Sequence, residues 1–174
     1  MYLISIYFDE VTDLRIRDYM KQIAKCTGND EMIKGNVPPH ITVAAFHTPS
    51  EENAREVFDK IAKKVCRGSV QWVTVGTFLP HVIYIAPIVN EYLHQLSVIN
   101  IEELSIQKNV LMEKRYQPFS WYPHTTLAKK LTKKQLLQAV EVLQNQFGPF
   151  CGKVTKIGLA STNPYCDLEV YELK

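Results

Sequence analysis

The sequence predicts one domain of mixed strands and helices, built as two similar lobes over about residues 1–78 and 81–174. Three observations lead there. A six-residue pattern, Pro-His-x-Thr-aliphatic-Ala, occurs at Pro39–Ala44 and again at Pro123–Ala128, with its histidines 84 residues apart (124 against 40). Around each copy the hydrophobic pattern reads strand, helix, histidine-containing strand, helix, strand. No Ser/Gly-rich linker separates the halves, and 174 residues is the size of one ordinary domain.

The elements follow in order. Tyr2–Phe8 is an apolar strand, followed by a helix with Leu14, Tyr19, Ile23 and Ala24 among its apolar positions. The first motif forms the next strand. Thr48-Pro49-Ser50-Glu51 then predicts a capping box with Thr48 as N-cap and Pro in the first turn. Ala54, Val57, Phe58, Ile61, Ala62 and Val65 share one face of the helix it opens. Gly68 and Val70 begin a β-rich run. The second half repeats this with a strand at 81–88, a helix over about 91–107 and the second motif. Thr132 and Gln135 predict a second capping box, with Leu136, Val140, Leu143 and Phe147 on the apolar face behind it. Gly152 and Val154 open another strand, and Cys166–Leu173 adds the last. Residues 109–122 lack periodicity but contain Lys114, Arg115, Tyr116, Phe119, Trp121 and Tyr122, aromatic and cationic groups suited to a base and a phosphate.

Composition narrows the function classes. A hydrophobic share of 46% and a charged share of 22% exclude disordered and collagen-like chains. Twenty Lys and Arg against eighteen Asp and Glu leave a net charge of +2. That is too balanced for bulk electrostatic capture of nucleic acid, although a local basic patch fits. No apolar run approaches the ~20 residues that span a bilayer, and no basic region precedes the first apolar residues. Cys26, Cys66, Cys151 and Cys166 form no CxxC pair, so they read as reduced thiols in the cytoplasm rather than as metal ligands.

The motif itself carries chemistry. Side chains alternate along a strand, so His40 and Thr42 share a face, with Ala44 next on it; His124, Thr126 and Ala128 do the same. Ile41, Val43, Thr125 and Leu127 then point into packing. Two such faces across one cleft give a base, an acid and two hydroxyl donors around an anion, with the alanines leaving room for it. A phosphodiester undergoing in-line displacement needs that set, with neither metal nor cofactor. His47, whose parity turns it from the pocket, His81 and His94 lack the context and read as structural. Tyr7, Phe46 and Tyr84 lie on strands that can line the groove.

The pair His40-Ile41-Thr42-Val43 and His124-Thr125-Thr126-Leu127 resembles the 2H phosphoesterase superfamily and its LigT-like branch, the 2'-5' RNA ligase or 2',3'-cyclic phosphodiesterase family. The resemblance implies a bilobal α+β fold, with two antiparallel-rich sheets flanking a central groove and helices outside. It implies a hydrolase or ligase acting on RNA ends or cyclic nucleotides, with His40, Thr42, His124 and Thr126 catalytic. It also implies a basic residue soon after the second motif, where strand parity selects Lys130 over Lys129. Arg115, Tyr116 and Phe46 are the other candidate substrate contacts. No membrane or obligate protein partner is expected, and the chain is expected to be a monomer. The rival reading is a module that binds RNA or nucleotides in the same groove without turnover.

Overall fold

A computed structural model describes residues 1–117, 119–162 and 164–174. The elements are β1 (Tyr2–Phe8), α1 (Glu10–Thr27), α2 (Glu31–Lys34), β2 (Ile41–His47), α3 (Glu51–Ala62), β3 (Gly68–Phe78) and β4 (Val82–Pro87). Then come α4 (Glu91–Ser105), β5 (Leu111–Met112), β6 (Thr125–Ala128), α5 (Lys133–Gln146), β7 (Phe150–Ser161) and β8 (Cys166–Glu172). The order strand, helix, strand, helix, strand occurs twice along the chain.

All strand pairings are antiparallel, in the order β5-β2-β1-β7-β3-β4-β6, with β8 also on β7. Two arms share the long strand β7. Its start, Phe150–Val154, pairs with β3, which carries β4 and β6. Its remainder, Val154–Ser161, pairs with β1 and β8. The last strand of each half therefore lies in the other half's arm. The helices cross as well: α1 packs against β6 and α5, while α4 packs against β2 and α3.

The core forms where the helices meet the sheet. Ile4, Ile6 and Phe8 of β1 face it with Ile16, Met20 and Ile23 of α1 and Phe58 and Ile61 of α3. Trp72 is wholly buried, stacked on Phe150 with centroids 4.9 Å apart and edge-on to Phe8. Its indole N–H donates to the Thr125 hydroxyl at 3.2 Å, fixing the back of the second motif strand. Burial of this kind stabilises by about 25 cal/mol per Å² of apolar surface. Among the described residues, no helix is long and apolar enough to cross a membrane.

Three sequence expectations about helices change. The N-cap of α3 is Ser50, whose hydroxyl accepts from the Asn53 N–H at 3.1 Å. Thr48 lies two residues earlier, its hydroxyl buried and unpartnered among the described residues. Proline at 49 fits as the first helical residue after a Thr48 cap or as the residue before a Ser50 cap, so the pattern alone did not choose between the two hydroxyls. Leu14 and Val140 are exposed; Ile16, Met20 and Ala139 take the inner positions. The capping box at Thr132 and Gln135 is present.

Candidate active site

The two motif strands are irregular at the same place. On β2, Thr42 pairs with Ser5 and Ala44 with Ile4, so Val43 is an extra residue. On β6, Thr126 pairs with Tyr84 and Ala128 with Ile83, so Leu127 is extra. Each is a β-bulge one residue after the motif threonine. Directly opposed residues share a face. Thr42 therefore lies on the face of Ser5 (hydroxyls 3.3 Å apart), whereas Ala44 turns with Ile4 into the core. Ala128 turns inward with Ile83 in the same way. Simple alternation placed both alanines beside the threonines; the bulges put them on the opposite face. They also return Ala45 and His47 to the face of Thr42, against the expectation from parity for His47.

His40 and His124 each precede their strand by one residue. His40 Nδ1 lies 2.7 Å from the Pro38 carbonyl, and His124 Nδ1 lies 2.9 Å from the Tyr122 carbonyl. A carbonyl accepts only, so Nδ1 carries the hydrogen in both rings, and the neutral rings keep the Nε2 lone pair for chemistry. Both rings are half-buried. Burial is the main cause that holds His40 below the usual imidazole range. The Pro38 carbonyl opposes that shift, the charge of His124 adds to it, Asp167 opposes it and Lys129 adds to it. Burial likewise depresses His124, with the Tyr122 carbonyl opposing and Arg115 reinforcing.

A cleft of about 400 Å³ joins His124 and Thr126 to Arg115, Tyr116, Trp121, Tyr122, Phe78 and Lys129. The Trp121 indole N–H donates to the Thr42 carbonyl at 3.0 Å, tying this wall to the first motif. Tyr116 also lies against Thr42, and burial raises its pKa. A second cleft, about 360 Å³, has Tyr7, Pro38 and Asp167 in its wall together with Asp9, Glu10 and Asp13. One side of the pair is thus aromatic and cationic, the other acidic.

Aromatic rings bracket each imidazole. Tyr7 and Tyr165 have centroids 6.3 and 6.2 Å from His40. The Tyr7 hydroxyl donates to Asp167 at 2.9 Å, and its pKa is raised, first by burial and then by Tyr165 and Asp167. Phe78 stands edge-on to His124 at 4.8 Å and Tyr84 lies 5.3 Å away. Burial raises Tyr84 to about 12, so it stays a neutral phenol.

The candidate residues separate accordingly. Arg115 and Tyr116 line the cleft. Phe46 does not: it is fully buried in the core, paired with Tyr2. Lys130 does not either. β6 ends at Ala128, and Lys130 has a left-handed backbone (φ 56°) that takes its ammonium to Glu31, 2.8 Å away. Lys129 lines the cleft instead. His81 bonds the Leu131 carbonyl at 2.8 Å, His94 is exposed on α4, and His47 bonds Glu113 at 3.1 Å. Ser5, Tyr7, Phe78, Tyr165 and Asp167 were not singled out for chemistry, except Tyr7 as a wall. The alternation Ile4-Ser5-Ile6-Tyr7 marks a polar face on β1 and is the signal that reaches Ser5. Nothing local marks Asp167.

The model of the 2'-5' RNA ligase superfamily matches residues 10–164. A search of curated proteins found no match. Among solved structures, the chain resembles E. coli LigT complexed with 3'-AMP at TM-score 0.64 and 14% identity, over 99% of this chain and 97% of LigT. It resembles a phosphoesterase at TM-score 0.63 and 15% identity, over 99% and 97% of the two chains. TT0787 of Thermus thermophilus gives 0.61 and 14%, again over 99% and 97%. At such identities the structures carry the fold, the α+β architecture expected from the sequence. The family model spans most of the chain and the LigT-like fold agrees with it over nearly the whole length, so the chain belongs to the 2'-5' RNA ligase superfamily.

Proposed function

We propose that the protein is a phosphodiesterase acting on the 2',3'-cyclic phosphate of RNA ends or nucleotides, with His40 and His124 as its acid–base pair. With a 5'-hydroxyl in place of water as the nucleophile and the ribose 3' oxygen as the leaving group, the same chemistry joins a 2'-5' linkage. One neutral imidazole takes a proton from water at Nε2 as the oxygen attacks phosphorus. The other, protonated, gives its proton to the departing ribose oxygen. Thr42 and Thr126 donate to the phosphoryl oxygens, and Arg115 and Lys129 offset the charge that develops there. Phe78 and Tyr122, exposed beside His124, offer ring faces to a nucleobase. The LigT structures complexed with 3'-AMP and with ATP favour a nucleotide as the ligand.

The observation that carries the reading is the matched anchoring of the two rings, each held through Nδ1 by the carbonyl two residues upstream. A pair of structural histidines has no need of identical tautomers at matched positions of the two motif strands. The test is incubation with the four 2',3'-cyclic nucleotides and with cyclic-ended RNA, the product identified by phosphorus NMR. Ring opening that EDTA does not slow is the expected result. Tight binding with no ring opening of any of these substrates would establish the binding module instead.

A further inference from the structure

Two loops from opposite halves meet beside the cleft. α1 ends at Gly28, left-handed at φ 71°, whose N–H donates to the Ala24 carbonyl at 2.8 Å. That turn delivers Asn29 to the segment following β6. The Asn29 side-chain amide donates to the Lys129 carbonyl at 3.2 Å and to the Lys130 carbonyl at 3.4 Å. Its Oδ1 accepts from the Glu31 N–H at 3.4 Å, and its backbone N–H donates to the Thr27 hydroxyl at 3.1 Å. Both ends of the amide are thus occupied, which fixes its orientation.

What it holds is an unfavourable turn. Lys130 sits at φ 56°, a region that side chains with a Cβ seldom adopt. The turn sends two neighbouring lysines in different directions. Lys130 goes outward to Glu31, while Lys129 enters the wall that holds His124 and Thr126. The bulge at Leu127 already returns Lys129 to the face of Thr126, and the turn that follows carries the chain and Lys130 away from it. We propose that Asn29 is a positioning residue: by binding the Lys129 and Lys130 carbonyls it holds the turn that aims the Lys129 ammonium at an anionic substrate oxygen between the histidines. The proposal rests on reading the cleft as a phosphate site.

Its test needs no turnover. The groups that face His40 are Tyr7 from β1, Tyr165 just before β8 and Asp167 on it, His124 before β6, and Lys129 after it. Asn29 touches only the last of these. Lys129→Ala removes a positive charge, so the His40 pKa, followed by NMR titration of the ring, is expected to rise. Asn29→Ala and the near-isosteric Asn29→Leu are expected to raise it too, and to add nothing in the Lys129→Ala background. Gln135→Ala, which breaks the 3.1 Å bond to the Thr27 carbonyl on the same seam, is expected to leave it in place. An unmoved His40 in both Asn29 variants overturns the proposal, as does an additive shift in the double variant. On a cyclic phosphate, Asn29→Ala is expected to raise KM more than it lowers kcat. Wild type that opens no cyclic phosphate defeats the functional reading and leaves the titration to decide the role of Asn29.

Discussion

His40 and His124 differ in their neighbours more than in their anchoring. Asp167 stands near His40, and Arg115 near His124, yet burial dominates both and holds each below the usual ~6.5. An acid–base pair works with one ring protonated and one neutral, so kcat/KM is bell-shaped with its maximum midway between the two macroscopic values. The midpoint of two depressed values is itself depressed. The free-enzyme profile should therefore peak on the acid side of the ordinary imidazole value; a peak well above pH 7 counts against the assignment. Single His40→Ala and His124→Ala variants should each lose at least ~10²-fold in rate, the low end of what proton transfer supplies. Wild-type turnover in either one removes that ring from the mechanism. The four motif residues were legible because His and Thr recur in matched sequence context. Lys129 was not, because the bulge at Leu127 shifts by one residue the alternation that parity assumes.

At the scale of elements, the bulges and caps set where those side chains go. Strand positions were legible: Tyr2–Phe8 and the 91–105 helix follow directly from apolar periodicity. A bulge adds one residue without changing composition, so nothing in Thr42-Val43-Ala44 announces that the alanine turns inward. The cap of α3 was misplaced for a related reason: Thr48 and Ser50 are both good caps, and only the chain's path selects one. Ser50→Ala should cost about 1 kcal/mol in chemical denaturation, whereas Thr48→Val should be neutral or stabilising because it removes an unpaired buried hydroxyl. Equal losses would restore Thr48 as the cap. The strands also leave space for the rings that flank the histidines. A Cβ on Gly76 would stand 2.5 Å from the Tyr84 ring, and one on Gly158 would stand 2.6 Å from that of Tyr7. Gly76→Ala must displace Tyr84 from beside His124. It should lower kcat/KM while costing about 1–3 kcal/mol of stability, the usual range for overpacking.

Over the whole molecule, the two halves are interlaced rather than set side by side. β3 of the first half is paired between β4 and β7 of the second, and β7 carries β1 on its other edge. α1 covers β6, and α4 covers β2. Each histidine strand is thus backed by a helix from the opposite half, and the cleft exists only when both are present. Sequence periodicity divided the chain into two lobes by counting elements but could not see this exchange, because pairing between distant strands leaves no local mark. A fragment of residues 1–78 would lack both partners of β3 and the strand that pairs with β1 opposite β2. It would also leave Ile16, Met20 and Ile23 of α1 without β6 and α5 to cover them. Exposed apolar surface on that scale exceeds the few kcal/mol by which domains are stable. The separate fragments 1–78 and 81–174 should therefore show no cooperative thermal transition by circular dichroism, and the intact chain should unfold in one. A sharp melt from either fragment alone would mean that its half folds independently, with the exchanged strands and helices adding only the cleft.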